Sequence, residues 1–270
     1  FAGIETFAEL RSLATYLLRY YPQLTFDDVK FHLIEAMGRI MPEVSLETSH
    51  WVLDNLDRRG AKVHLETQLL SAVKGNVELS TGEKFSSDLI VWTAGVMANP
   101  VVRNTDLPLD ERGRVTAHPS LRVTNGEQIV EHAWTAGDVS AVPDLSGFGV
   151  GGFCVPNAQH AVRQGKLMAR NLTAALRGEG VKDYFHKPLG AVAGLGIGVG
   201  VYQWKKFAVK GFLAWCMHRG YHGLAIPMWE RKFRVAAGWF WNWVLRRDIV
   251  ATSATKSPRV AFETYASRPK

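Results

Sequence analysis

A β-rich run at Val130–Trp134 stops at Thr135-Ala136-Gly137-Asp138, passes into a loop carrying glycines through Gly152, and enters a helix that opens at Asn157-Ala158-Gln159. This order constrains the fold more than any other feature of the chain. A strand that ends in small residues and a carboxylate, beside the first turn of a helix, is how an open α/β sheet builds a crevice for a nucleotide-like ligand. The helix is expected over about Ala158–Leu176.

The first ninety residues repeat the logic. Phe7, Leu10, Leu13, Leu17 and Leu18 recur at helical spacing over 4–20, and Val29–Ile34 reads as a strand ending at Glu35. A second helix is expected from Val44 to Arg59, with Leu46, Trp51-Val52-Leu53 and Leu56 inward and Gly60 as its stop. Short strands follow at Ala61–Leu65, Leu69–Val73 and Asn76–Leu79, the last two joined by a turn at Lys74-Gly75. Asp88–Trp92 is expected as a further strand, ending at Thr93-Ala94-Gly95. Helix and parallel strands with a meander make one dinucleotide-binding lobe.

The fold class expected is α/β: a two-dinucleotide-binding-domain flavoprotein fold of the disulfide-reductase kind, incomplete at the N-terminus, with a C-terminal membrane-associated region. Residues 1–96 are expected to form the NADH-binding lobe, 97–180 the C-terminal part of the FAD-binding lobe, and 181–270 the membrane-association region, the two cofactors being those that a family resemblance implies. With no initiating Met and the fingerprint entered at Gly3, the chain reads as the later part of a longer enzyme, and on its own is expected to be inactive.

Charge separates that last third from the rest. Residues 181–270 hold 15 Lys and Arg against 4 Asp and Glu, whereas the first 180 hold 17 against 21. Six of the nine Trp lie between Trp204 and Trp243. Basic charge with aromatics suits nucleic acid or an anionic membrane surface, and long apolar runs with Trp favour the membrane, so no nucleic acid is expected. The runs at Leu189–Val201 and Phe233–Leu245 are 13 residues each, too short to span a bilayer.

Four groups carry candidate chemistry. Gly3, read as the last glycine of a pyrophosphate-binding turn, would set the following helix N-terminus against a dinucleotide, and Glu35 would accept hydrogen bonds from its ribose; a surface Glu after a strand is the plainer alternative. Gly137 and Asp138 would meet the flavin's ribityl chain, the alternative being an Asx turn with no ligand. Ala158 and Gln159, in the first helical turn, would face the pyrimidine side of a flavin or a neighbouring quinone carbonyl. His160 reads as a packed or solvated histidine more readily than as a proton donor. Cys154 and Cys216 are 62 positions apart, form no C-x-x-C pair or zinc knuckle, and are expected as buried free thiols. No metal ligand is assigned.

On Phe-Ala-Gly-Ile-Glu5, Val-Trp-Thr-Ala-Gly95, Thr-Ala-Gly-Asp138, Asn-Ala-Gln159, the segment Gly190–Gly196 and the aromatic C-terminus, the chain resembles the type II NADH:quinone oxidoreductases, particularly the actinobacterial kind. The resemblance covers essentially the whole length. It implies FAD and NAD(H) as cofactors, quinone as acceptor, no proton pumping, peripheral attachment to the cytoplasmic face of the cell membrane, and commonly a homodimer. It matches Glu5 to the acidic residue beside the nicotinamide, Glu35 to the ribose acid, Ala94 and Gly95 to the cofactor-facing strand end, Asp138 to the ribityl ligand, and Ala158 and Gln159 to the flavin and quinone head. Where the family often has a lysine lining the quinone tunnel, this chain has Leu189, with Lys187 displaced. A sulfide:quinone reductase, a soluble flavin reductase and a non-catalytic fragment that adheres to membranes are the competing readings.

Overall fold

The computed structural model describes residues 2–187, 190–245 and 249; Phe1 and Leu189, named above, and the basic residues Arg246 and Arg247, expected at the membrane surface, lie outside them. The chain opens on helix α1 (Ala2–Leu17), continued by a 3-10 turn at Leu18–Tyr20. Strand β1 (Phe31–Ile34) pairs in parallel with β2 (Ala61–His64), in the register Phe31↔Ala61 to Ile34↔His64. Between them runs α2 (Leu46–Arg58), whose N-cap Ser45 accepts a hydrogen bond from the Thr48 N–H. Strands β3 (Leu69–Ser71), β4 (Asn76–Leu79) and β5 (Lys84–Ser86) form an antiparallel meander.

Alternation along β1 and β2 assigns their two faces. Leu33, Ala61 and Val63 join the core with Ile4, Ala8, Val52 and Leu56 from α1 and α2. His32 and His64 point the other way, toward the meander, where His32 stacks on Phe85 with ring centroids 4.1 Å apart.

Three expectations are corrected. Asp88–Trp92 is not a strand, and Leu89, Val91 and Trp92 are exposed. A strand exists only by pairing, and no described segment pairs with it. Leu46 is exposed. The inward face of α2 runs through Thr48, Val52 and Leu56, and Leu46 stands roughly 200° around the helix from Thr48. Cys154 is buried as expected, but Cys216 is exposed.

The middle of the chain forms β6 (Val115–Thr116), β7 (Arg122–Asn125), β8 (Gln128–Trp134) and β9 (Ser140–Ala141), in the pairs β6–β9 and β7–β8. Helix α3 spans Ala158–Leu176. A second core gathers Ala117, Leu121, Val142, Cys154 and Tyr184, with Leu167 and Met168 of α3 against it.

An antiparallel sheet follows, β10 (Ala191–Gly194), β11 (Gly200–Trp204) and β12 (Phe207–Gly211), and then helices α4 (Phe212–Ala225) and α5 (Trp229–Val244). This sheet is seated on the first lobe: Ala193, Leu195 and Val201 belong to the core of α1 and α2. Gln203 Oε1 accepts from the Ser45 N–H at 2.9 Å, and Lys210 pairs with Glu47 at 2.8 Å. No residue of α5 is buried.

Candidate active site

The Gly137-Asp138 turn and the start of α3 come together in one cleft. Gly137 has φ +78°, the left-handed region that glycine enters without steric cost. Its N–H donates to Gln164 Oε1 at 2.8 Å, and its carbonyl accepts from the Ser140 N–H at 3.0 Å. Gln164 is 2% exposed, so the second turn of α3 fixes the peptide that presents Asp138. Asp138 itself is exposed, and its carboxylate has no hydrogen-bond partner among the described residues. The cleft is lined by Gly137, Asp138, Arg114, Cys154, His160 and Gln164, among others.

At the opening of α3, Asn157 caps the helix by accepting from the His160 N–H at 2.9 Å. The N–H groups of Ala158 and Gln159 take no partner among the described residues, and neither does the Gln159 side-chain amide. A helix end in this state offers donors and the positive end of its dipole to a ligand. His160 is bound elsewhere: its Nδ1 lies 2.9 Å from Tyr184 Oη, and burial holds its pKa below the ordinary histidine value despite the opposing charge of Asp144. The Tyr184 phenol is pushed up to about 12 by the same burial.

The first lobe contributes a second group. A Cβ on Gly3 would stand 2.6 Å from Thr93 Oγ1, so the start of α1 lies against the Thr93-Ala94-Gly95 segment. Gly95 has φ +83° and donates to the Thr93 carbonyl. Glu35 sits just past β1: its N–H donates to the His64 carbonyl at 2.9 Å, and its Oε1 accepts from the Met37 N–H at 2.8 Å.

Glu5 is committed in another direction. Its Oε1 accepts from the Gly194 N–H at 2.8 Å and lies 3.0 Å from His218 Nε2, which ties α1 to β10 and α4. Burial raises its pKa, but the hydrogen bonds from His218 and Gly194 and the nearby imidazoles outweigh it, and the net shift is downward. Lys187 lies over the Phe185 ring at 5.9 Å.

The cysteines do not form a redox centre. Cys154 belongs to the second core, and burial, aided by Asp144, pushes its thiol up to about 11. Cys216 is exposed on α4, which packs on the β10–β12 sheet. A thiol that stays protonated at neutral pH is a poor nucleophile.

Sequence reasoning missed Gln164, His218 and the grouping of His32, His64 and Glu83. Gln164 carried a signal: with Asn171, two turns on, it puts a second amide on the side of α3 that meets the core, and both are buried. The others are joined across 213 and 51 residues, which no local pattern records.

The chain is similar to known proteins. The family model described as pyridine nucleotide-disulphide oxidoreductase matches residues 1–165. A probable NADH dehydrogenase of Dictyostelium discoideum is 26% identical over 250 residues, covering 92% of this chain and 53% of that protein. The type II NADH:quinone oxidoreductase of Haemophilus influenzae is 29% identical over 195 residues, covering 72% of this chain and 42% of that protein. The chain thus spans about half the length of these relatives. Among solved structures, NDH2 of Plasmodium falciparum in complex with NADH superposes with a TM-score of 0.80 at 13% identity, over 93% of this chain and 65% of that one. The likeness extends through the C-terminal sheet and helices.

Proposed function

Because this chain belongs to the pyridine nucleotide-disulphide oxidoreductase family, we propose that it works in a flavoenzyme that carries electrons from NADH to a quinone at a membrane surface, as a type II NADH:quinone oxidoreductase. The observation that carries the reading is the Gly137-Asp138 turn, anchored by Gln164 and sharing a cleft with His160 of α3, the helix whose Ala158 and Gln159 N–H groups take no partner among the described residues. The residues present fit FAD at this end: an unpartnered carboxylate for a ribityl hydroxyl, and a helix N-terminus for the pyrimidine edge. FAD, when bound, supplies the acceptor for hydride and passes the electrons onward.

The chain's own groups do the positioning. Asp138 accepts a hydrogen bond from the ribityl chain. The dipole and free amides of α3 favour negative charge at the pyrimidine edge, and Gln159 serves the quinone side. Gly3 lets the start of α1 approach the Ala94-Gly95 segment, the two together facing the dinucleotide. Glu35 keeps a carboxylate oxygen free for ribose hydroxyls and repels the 2′-phosphate of NADPH. Glu5 stands on the nicotinamide side, already held by His218 and Gly194. Disulfide or sulfide chemistry has no support here, because Cys154 holds its proton and sits in a different core from the one under Cys216.

Attachment falls to α4 and α5, on an anionic membrane at its cytoplasmic face. Phe212, Leu213, Leu224, Trp229, Phe233 and Trp243 are all more than 60% exposed on these two helices. No helix among the described residues is long and apolar enough to cross a membrane, so this face would lie flat. A homodimer made through the same aromatics is the second arrangement.

The test is steady-state oxidation of NADH and NADPH by the purified full-length protein with a soluble quinone. The reading expects a flavin spectrum and a strong preference for NADH. Equal use of NADPH removes Glu35 from its role, and an absence of bound flavin after reconstitution leaves a membrane-adhering protein without this activity.

A further inference from the structure

We propose that His32, His64 and Glu83 form a binding site for a divalent transition-metal ion of the zinc kind, clamping the β3–β5 meander onto the β1–β2 strand pair. The proposal is independent of the flavin reading, since none of the three residues takes part in it.

Geometry carries it. One nitrogen from each imidazole and one Glu83 oxygen all lie within 4.8 Å of one another. The closest ring nitrogens, His32 Nδ1 and His64 Nε2, are 3.0 Å apart. Two nitrogens bound tetrahedrally to zinc at about 2.0–2.1 Å stand roughly 3.3 Å apart, so a small opening of this pair admits the ion. The three residues come from separate elements: His32 from β1, His64 from β2, and Glu83 from the turn between β4 and β5. The parallel register sets His64 opposite Ile34, one step diagonal from His32 on the same face.

The surroundings hold the ligands in place. The His32 ring is stacked on Phe85, and the two imidazoles lie nearly parallel, 12° apart. His64 is 9% exposed, while Glu83 is open enough for an ion to enter. Glu83 Oε1 receives Lys62 Nζ at 2.7 Å, and Oε2 faces His64 Nδ1 at 3.8 Å. Lys62 can therefore keep one oxygen while the other turns to the metal, the outer-shell support that metal carboxylates commonly have.

Without metal, the short contact is an N–H···N hydrogen bond and holds one proton. The metal takes the lone pairs of both facing nitrogens, and the proton between them moves to the far nitrogen of the ring that carried it, so each ring ends neutral with one N–H there. Two imidazoles and one carboxylate select zinc and its neighbours over magnesium or calcium, which prefer oxygen alone. Solvent fills the fourth position.

Zinc chloride titrated calorimetrically into the full chain, with Cys216→Ser to remove the exposed thiol, tests the site. The expected result is about one ion bound, a raised melting temperature, and no response to magnesium or calcium. Glu83→Gln and His32→Gln should each weaken binding by roughly 10–100-fold or more, as loss of even an outer-shell partner does. Zinc binding of unchanged affinity in both variants, or none in the parent, overturns the proposal. If a variant does not fold, cobalt substitution in the parent decides: a tetrahedral visible spectrum without a thiolate charge-transfer band supports the site, and a thiolate band or an octahedral spectrum overturns it.

Discussion

Glu5 Oε1 lies 3.0 Å from His218 Nε2, joining the first turn of α1 to the helix that begins the exposed aromatic face. The Gly194 N–H donates to the same oxygen. Two elements nearly two hundred residues apart thus share one carboxylate. Its pKa is lowered in the folded chain, so its stabilising contribution is present above the ordinary carboxylate range and fades as pH falls through the folded value. Glu5→Gln should cost about 1–3 kcal/mol at pH 7, and the gap from the parent should narrow toward pH 4. Urea melts across that range check it; a gap that does not depend on pH removes the carboxylate's charge from the account.

Close packing of α4 on β11 makes a paired prediction. A Cβ on Gly200 would stand 2.7 Å from the Trp215 N and 2.8 Å from its Cα, backbone atoms that cannot step aside. Gly200→Ala should therefore destabilise by about 1–3 kcal/mol. Gly220, on the same helix, has nothing within 4 Å of such a Cβ, and Gly220→Ala should be neutral or stabilising by up to about 1 kcal/mol. Equal effects in thermal melts would mean that the contact between helix and sheet is looser than described.

Alkylation separates the two thiols. Cys154, buried and raised to about 11, should resist iodoacetamide at pH 8 in the native state, while Cys216 reacts. Intact mass should show a single adduct before denaturation and two after. Fast modification of Cys154 would reopen disulfide chemistry.

What the sequence disclosed followed the range of its patterns. Helix α3 begins at Ala158 and ends at Leu176, where capping residue and periodicity place it, because both signals are local. The meander turn at Lys74-Gly75 is equally local. Asp88–Trp92 failed because strand propensity says nothing about whether a partner is present. Leu46 failed because an apolar residue at a helix start need not share the helix's inward face. In the candidate site, Gly137 and Asp138 were legible as punctuation after a strand, but the amide that fixes them comes from 27 residues later. The seating of the C-terminal sheet on α1 and α2 was hidden for the same reason, since Gly194, Leu195 and Gln203 read only as part of an apolar run or its edge.

Membrane attachment is expected to combine shallow burial with charge. Arg234 already pairs with Glu230 at 2.8 Å, and Lys232 lies 4.7 Å from the Trp229 ring centre, so Arg231 should contribute most to attraction on α5. Each basic residue near an anionic headgroup adds about 1 kcal/mol before screening. Co-sedimentation with anionic liposomes should weaken with salt and fall on Arg231→Gln, while Trp243→Ala weakens binding at every salt concentration. Equal binding to neutral and anionic vesicles would contradict the electrostatic half, and a concentration-dependent dimer lost with Trp243 would assign this face to a second copy.

Anaerobic stopped-flow on the flavin-loaded protein tests the central claim most directly, because it separates donor and acceptor halves. NADH should reduce the flavin and quinone should reoxidise it. Asp138→Ala should lower flavin retention by roughly ten- to hundredfold, with Gln164→Leu acting in the same direction by freeing the Gly137 peptide. Gln159→Ala should slow reoxidation while reduction by NADH stays near the parent rate. Undiminished flavin retention in both Asp138→Ala and Gln164→Leu, or reduction alone slowed in Gln159→Ala, would contradict the placement of flavin and quinone at the start of α3.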